Sequence, residues 1–163
     1  MSQRNTSIRH AHPEDTPFIY QMIQALAEYE KEPHEVSLTV EELKRDGFGP
    51  EPLYYCLILE LEDRPVGFAL YYHRYSTWKG KTLYLEDLFV IPEARGSGLG
   101  KKAMLELARI AREKGCVRFE WQVLDWNTPA ITFYQSLGAK LLPEWINCRV
   151  NKDGIELLSQ QKS

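Results

Sequence analysis

Two carboxylates, Glu86 and Asp87, stand side by side inside LYLEDLFV, a strand-forming run at positions 83–90. Successive strand residues point to opposite faces, so one of the pair is directed inward unless a bulge changes the parity. A buried carboxylate is costly without a partner. The pair is therefore either tied to an Arg or Lys of a neighbouring strand or set in a cleft, where a carboxylate attracts a cation and accepts its proton. A second arrangement follows at once: Arg95-Gly96-Ser97-Gly98-Leu99-Gly100-Lys101-Lys102 joins VIPEA to an amphipathic helix. A helix N-terminus behind several glycines presents free backbone N–H groups and a positive dipole end, which bind phosphate. Arg95, Lys101 and Lys102 add positive charge there; the plain alternative is a flexible connection with solvated basic residues. Two familiar phosphate loops are excluded by spacing. A P-loop needs Gly where Arg95 stands and Ser or Thr where Lys102 stands, and a dinucleotide fingerprint needs its third Gly one position later. A nucleotide-like ligand held by a different geometry remains.

The elements that must position these groups are legible as periodic runs. SIRHA reads as a strand, and Pro13 opens a helix over about 13–31 carrying Phe18, Met22, Ile23, Leu26, Ala27 and Tyr29 at helical spacing. Thr39 and Glu42 form a capping box for a second, shorter helix closed by Gly47. LYYCLILELE and VGFALYYHRY flank a turn at Asp63-Arg64-Pro65, and Lys81 to Ile91 is a further antiparallel strand after STWKG. Leu99, Ala103, Met104, Leu107, Ala108, Ile110 and Ala111 mark a helix that Gly115 stops. VRFEWQVL is a strand, and Asn127 to Leu137 a helix ended by Gly138. WINCRV and IELLS read as two strands around an Asp153-Gly154 turn. The order β-α-α-β-β-β-α-β-α-β-β predicts one α/β domain over 1–163, its sheet mixed and mostly antiparallel, with helices on both faces.

Composition narrows the function classes. With 163 residues, 44% hydrophobic and 26% charged, the chain can bury one core and is too apolar to stay disordered. No run approaches the ~18 apolar residues of a membrane span, and MSQRNTSIRH is no signal peptide, so a cytoplasmic protein without a membrane partner is expected. A net charge of −3 argues against a nucleic-acid surface and favours cationic partners. Cys56, Cys116 and Cys148 form no C-x-x-C pair and read as small core hydrophobes. His10, His12, His34 and His73 lack metal-ligand spacing, so no metal is expected.

R-x-x-G-x-G, here Arg95, Gly98 and Gly100 between a strand and a helix, resembles the pyrophosphate-binding motif of the GNAT superfamily of acetyl-CoA-dependent N-acetyltransferases. DWNTPAITFYQSLGA at 125–139 is similar to the later motif of that superfamily. YEKE at 29, DGFG at 46, Tyr54-Tyr55 before Cys56, YSTWKG at 75 and LYLED at 83 extend the resemblance to the spermidine/spermine acetyltransferase family along nearly the whole chain. The polyamine branch tends to carry an acid and Pro before the Trp of the 75–80 loop. Here Ser76 and Thr77 precede Trp78, a pattern that looks more like the thialysine acetyltransferase branch, whose substrates are lysine-like amines.

The resemblance implies acetyl-CoA as co-substrate, with Arg95, Gly96, Ser97, Gly98, Leu99, Gly100 and Lys101 at its phosphates and Asn127, Ala130 and Tyr134 also approaching it. Amide N–H groups of Leu88, Phe89 and Val90 would polarise the thioester carbonyl if the strand is splayed or bulged there. Glu86 is the candidate proton acceptor, because a primary ammonium of pKa ~10.4 is only about one part in a thousand neutral at pH 7. Tyr134, on a helix face with Ala130 and Leu137, is the candidate acid for the departing sulfur. Tyr29, Glu30, Ser76, Thr77, Trp78, Glu86, Asp87 and Trp145 are candidates to surround the amine, the aromatic faces attracting its charge. Asp87 is balanced between a structural ion pair and water positioning. A homodimer is expected because the family is dimeric and WINCRV and IELLS could pair across an interface. Two alternatives stand beside a small-molecule amine acetyltransferase: a protein or peptide N-acetyltransferase, and a catalytically silent coenzyme-A-binding module.

Overall fold

The computed structural model describes residues 4–162, in two compact units, one ending at Gln122 and the other beginning at Val123. In the first unit, β1 (Thr6–His10) is followed by α1 (Thr16–Tyr29) and α2 (Val40–Phe48). The strands β2 (Tyr55–Leu61), β3 (Arg64–Ser76) and β4 (Gly80–Val90) come next, then α3 (Leu99–Glu113) and β5 (Arg118–Trp121). The sheet runs β1-β2-β3-β4-β5; the first four strands are antiparallel, and β5 joins β4 in parallel after the α3 crossover.

The period-2 runs explain why both faces are covered. Cys56, Ile58, Phe68, Leu70 and Phe89 point to one face and pack with Ile19 and Met22 of α1 and Leu43 of α2. Their alternating neighbours Leu57, Leu59, Ala69, Leu83 and Leu85 are buried on the other face, against α3 with its inward Leu99, Ala103, Met104 and Leu107. Each large apolar side chain so buried contributes about 1.5–3 kcal/mol, which makes the sheet a firm platform for what stands on β4.

In the second unit, Asn127 caps α4 (Thr128–Ser136), its side chain accepting from the Ala130 N–H, and Gly138 at φ 90° ends the turn that follows. The final helix, α5 (Lys152–Ser159), corrects the sequence reading. IELLS is helical and WINCRV is in no strand, because the Asn151 side chain accepts the Gly154 N–H and starts a helix where Asp153-Gly154 suggested a hairpin. The order is therefore β-α-α-β-β-β-α-β-α-α, and the two strands expected to pair across a dimer do not exist.

Two smaller corrections share a cause in turn geometry. The β2–β3 turn is Glu62-Asp63, both at positive φ (50° and 59°), a two-residue hairpin turn; Arg64 and Pro65 already belong to β3, with Pro65 beside a bulge at Leu59/Glu60. Helix α2 continues through Gly47 to Phe48. Gly47 is there for space: a Cβ would overlap the ring of Tyr54, whose hydroxyl donates to the Leu43 carbonyl at 2.5 Å.

Candidate active site

The parity problem of Glu86 and Asp87 is resolved by a β-bulge. Leu70 faces Asp87 and Tyr71 faces Leu85, so Glu86 is the extra residue of β4. Asp87 therefore shares a face with Leu70 and Phe89, the face covered by α1 and α2. Glu86 is on that face too, because the Tyr72 hydroxyl, packed against the same cluster, donates to Glu86 Oε2 at 2.9 Å. Alternation would have separated the acids; one inserted residue brings them together.

The two acids differ in setting. Glu86 is exposed, whereas Asp87 is half-buried and its carboxyl is pushed up to about 7, first by burial and then by the negative charges of Glu86 and Glu30. Glu30, at the C-terminal end of α1, is also raised, by burial. Among the described residues no ion pair reaches Glu30, Glu86 or Asp87. Two partly buried carboxylates, Glu30 and Asp87, thus stand with the exposed Glu86 without a cationic partner among the described residues. The Glu86 partner is a phenol, not the Arg or Lys that a structural ion pair requires.

The bulge also marks where β4 loses a neighbour. Strand β5 pairs with Thr82–Leu85 only, so among the described residues no strand lies on that edge of β4 from Glu86 to Val90, where Leu88, Phe89 and Val90 remain paired to β3 alone. An extended ligand can therefore hydrogen-bond to this edge as an added strand.

The glycine-rich turn follows. Gly96 (φ 77°) and Gly98 (φ 83°) adopt left-handed conformations, and a Cβ on either meets nothing within 4 Å. They are needed for the turn and leave open space in front of α3, whose first N–H groups, at Leu99, Gly100 and Lys101, have no intrahelical acceptor. Ser97 Oγ donates to the Ala94 carbonyl and braces the turn. Arg95 Nε donates to the Val90 carbonyl at 3.1 Å, and its guanidinium lies 5.1 Å from the Tyr29 ring and 5.7 Å from that of Phe89. Arg95 thereby links the turn to the residue preceding Glu30. Lys102 is engaged elsewhere, donating to the Thr6 carbonyl. Among the described residues no group of three or more His, Cys, Asp or Glu could hold a metal.

The structure brings Tyr29, Glu30, Glu86, Asp87, Leu88, Phe89, Val90 and the Arg95–Lys101 turn into one neighbourhood of the first unit. It does not bring Ser76, Thr77 and Trp78 there. Ser76 pairs with Gly80 at the far end of the β3–β4 hairpin, seven positions from Asp87 on β4 or about 23 Å of strand, and Trp78 is exposed. In the second unit, Asn127 caps α4, Ala130 is its capped residue, and Tyr134 is half-buried beside Phe133 (ring centroids 5.3 Å). Trp145 is exposed in the irregular segment before α5.

Sequence reasoning missed Tyr72, Tyr84 and Arg74. They line the same face as Asp87, since Tyr72 pairs with Tyr84 and Arg74 with Thr82. Their types were visible in YYHRY and LYLED. Their convergence depends on the β3–β4 register, which no local pattern reveals.

Comparison with known proteins agrees with this geometry. The acetyltransferase (GNAT) family model matches residues 17–139. The chain is 41% identical to a mouse (Mus musculus) protein named thialysine N-epsilon-acetyltransferase, covering 95% of this chain and 98% of the relative. It is 45% identical to the pig (Sus scrofa) protein of the same name over 84% of this chain and 85% of that one. Among solved structures, an integron cassette protein from the mobile metagenome of V. cholerae superposes with a TM-score of 0.78 at 25% identity, over 96% of this chain and 98% of the other. The sheet with its bulged fourth strand, the glycine-rich turn before α3 and the extent of these matches lead to one conclusion: the chain belongs to the GNAT acetyltransferase family.

Proposed function

We propose that this protein transfers an acetyl group from acetyl-CoA to the primary amine of a small cationic substrate, a lysine-like amino acid such as thialysine or a diamine or polyamine. The observation that carries the reading is the β4 bulge, which turns Glu86 and Asp87 to one face with Glu30 near and, among the described residues, no ion pair to neutralise them. A cation from solution completes such a site.

The coenzyme fits the residues present. Gly96 and Gly98 leave room that a Cβ would fill, and the N–H groups of Leu99, Gly100 and Lys101 face that room at a positive helix end. Arg95, Gly96, Ser97, Gly98, Leu99, Gly100 and Lys101 would hold the pyrophosphate, and the open β4 edge at Leu88–Val90 the extended arm. Asn127, Ala130 and Tyr134 are assigned to the coenzyme on the resemblance of DWNTPAITFYQSLGA to the later family motif. When bound, acetyl-CoA supplies an activated acyl group.

The residues of the chain do the rest. Glu30, Glu86 and Asp87 attract the ammonium, which must lose a proton before it is a nucleophile. Asp87, its carboxyl pushed up to about 7 by burial and by the charges of Glu86 and Glu30, holds a proton more readily than an ordinary carboxylate at 3.8 and is taken as the proton acceptor. Glu86, held by the Tyr72 hydroxyl, steers the amine. As the amine nitrogen bonds to the acetyl carbon and the carbon–sulfur bond breaks, backbone N–H groups at Leu88–Val90 would stabilise negative charge at the carbonyl oxygen, and the Tyr134 hydroxyl would protonate the thiolate released.

The proposal includes a homodimer, supported by the exposed Ile146, Val150, Ile155, Leu157 and Leu158 of the second unit, and a cytoplasmic location, supported by three free cysteines. Thiol release from acetyl-CoA, measured with thialysine, lysine, putrescine and spermidine beside a peptide library, tests the function. Turnover of the small amines is expected. Activity on peptides alone would overturn the reading, and coenzyme binding without any turnover would leave a silent binding module.

A further inference from the structure

Resting on that reading, we propose that Arg74 selects amino-acid substrates by binding their carboxylate while the side-chain amine lies at Glu86 and Asp87. Both ends of such a substrate then have a complementary group on one face of the sheet.

The placement follows from register. Arg74 points to the same face as Tyr72, Tyr84 and Asp87, because it pairs with Thr82 and the pairing beyond it is regular up to the Glu86 bulge. Its side chain is 51% exposed, yet the guanidinium is engaged on two sides. The Cζ lies 4.4 Å from the centroid of the Tyr84 ring, and Nη2 donates to Glu120 Oε2 at 2.5 Å. Glu120 is there because it pairs with Tyr84 across the parallel β4–β5 ladder. A stacked and tethered guanidinium is pre-organised, with its remaining donors fixed in direction, which suits it to a planar carboxylate.

Charge gives this end of the face its sign. Glu120 is shared, since Arg118 Nη1 lies 3.2 Å from its Oε1. Two guanidinium groups on one carboxylate leave a single uncompensated positive charge. The other end carries Glu30, Glu86 and Asp87 with no cation. The face is bipolar, and the two poles are joined by a ladder of rings: Arg74 on Tyr84, the Tyr84 and Tyr72 centroids 5.4 Å apart, and Tyr72 bonded to Glu86.

Length agrees. The guanidinium stands at the level of Tyr84, two residues before Glu86, or about 7 Å along the strand. An extended lysine-like side chain separates its terminal amine from its carboxylate carbon by about 7 Å at standard bond lengths. A diamine of the same length puts a second cation against Arg74 and is penalised by like charge.

The test compares steady-state acetylation of lysine or thialysine, lysinamide and 1,5-diaminopentane by the native protein and by Arg74→Leu, which keeps an apolar cover on Tyr84. The native protein is expected to favour the free carboxylate at least tenfold in kcat/KM over both the amide and the diamine. In Arg74→Leu the KM for the amino acid should rise about tenfold or more, with the diamine unchanged or improved. Equal treatment of carboxylate and carboxamide by the native protein overturns the proposal, as does an equal loss on amino acid and diamine in the variant. If Arg74→Leu does not fold, Arg74→Lys is used with the same two outcomes, and the native comparison decides by itself. Absence of thiol release with every amine instead overturns the acetyltransferase reading.

Discussion

In the proposed reaction Asp87 accepts the proton of the amine, and its raised pKa yields predictions with definite signs. As the proton acceptor it works only when ionised, so kcat/KM should rise with pH through about 7. Asp87→Asn should remove that limb and lower kcat/KM by about 10²–10⁴, as read from a pH-rate profile of both proteins. Stability follows the opposite course. A carboxyl whose folded-state pKa, about 7, exceeds its ordinary 3.8 contributes stability below 3.8 that is lost as pH rises through 7. The Tm of Asp87→Asn relative to the native protein should therefore increase from pH 5 to pH 8; a difference independent of pH would mean that Asp87 is not buried as a charge. At Tyr134 the expectation is mainly kinetic. Tyr134→Phe, which keeps the ring and removes only the hydroxyl, should lower kcat by about 10² or more and change acetyl-CoA affinity by calorimetry far less.

At the scale of elements, the turn before α3 and the end of α2 carry glycines for different physical reasons. Gly98 sits at φ 83° with open space before it, so Gly98→Val adds both backbone strain of about 1–2 kcal/mol and a side chain where the coenzyme phosphates are proposed to lie. Acetyl-CoA affinity should fall at least tenfold in a titration, with only a modest drop in Tm. Gly47 is instead a packing glycine. Gly47→Ala drives a methyl into the ring of Tyr54, whose hydroxyl is held by Leu43, and should cost about 1–3 kcal/mol in denaturant unfolding without altering the KM for either substrate. The Glu86 bulge is the third such device, and it works by parity alone.

For the whole molecule, covered faces and an exposed tail set the expectations. The sheet of the first unit is covered on one side by α1 and α2 and on the other by α3. The second unit carries its apolar side chains outward, at Ile146, Val150, Ile155, Leu157 and Leu158. Light scattering should give twice the chain mass of 19.0 kDa, and Ile155→Glu with Leu158→Glu should return it to the monomer value. A monomer at working concentration in the unaltered protein would refute the dimer. The strand pairing that the sequence suggested for it is absent, so an interface there must be made by side chains.

The sequence by itself determined the elements whose periodicity is long and whose ends are chemically marked. The Thr39–Glu42 capping box, the stripe from Leu99 to Ala111 with Gly115 beyond it, and the Asn127 cap each specify structure within a few residues, and the structure contains them as read. It determined the glycine-rich turn before α3 for the same reason, since a left-handed glycine and a helix start are local facts. Short runs were ambiguous: IELLS fits a strand or a helix, and the deciding bond, from the Gly154 N–H to Asn151, was not distinguishable from a hairpin signal. What only the tertiary structure decided is which side chains meet. The direction of Asp87 depends on an extra residue in β4, and that bulge exists only by comparison with the strand opposite, Leu70 and Tyr71. The ladder from Arg74 through Tyr84 and Tyr72 to Glu86 likewise needs the β3–β4 register and the arrival of Glu120 on β5, 46 positions from Arg74. Local chemistry selects an element and its ends; register, which joins residues far apart in the chain, selects the site.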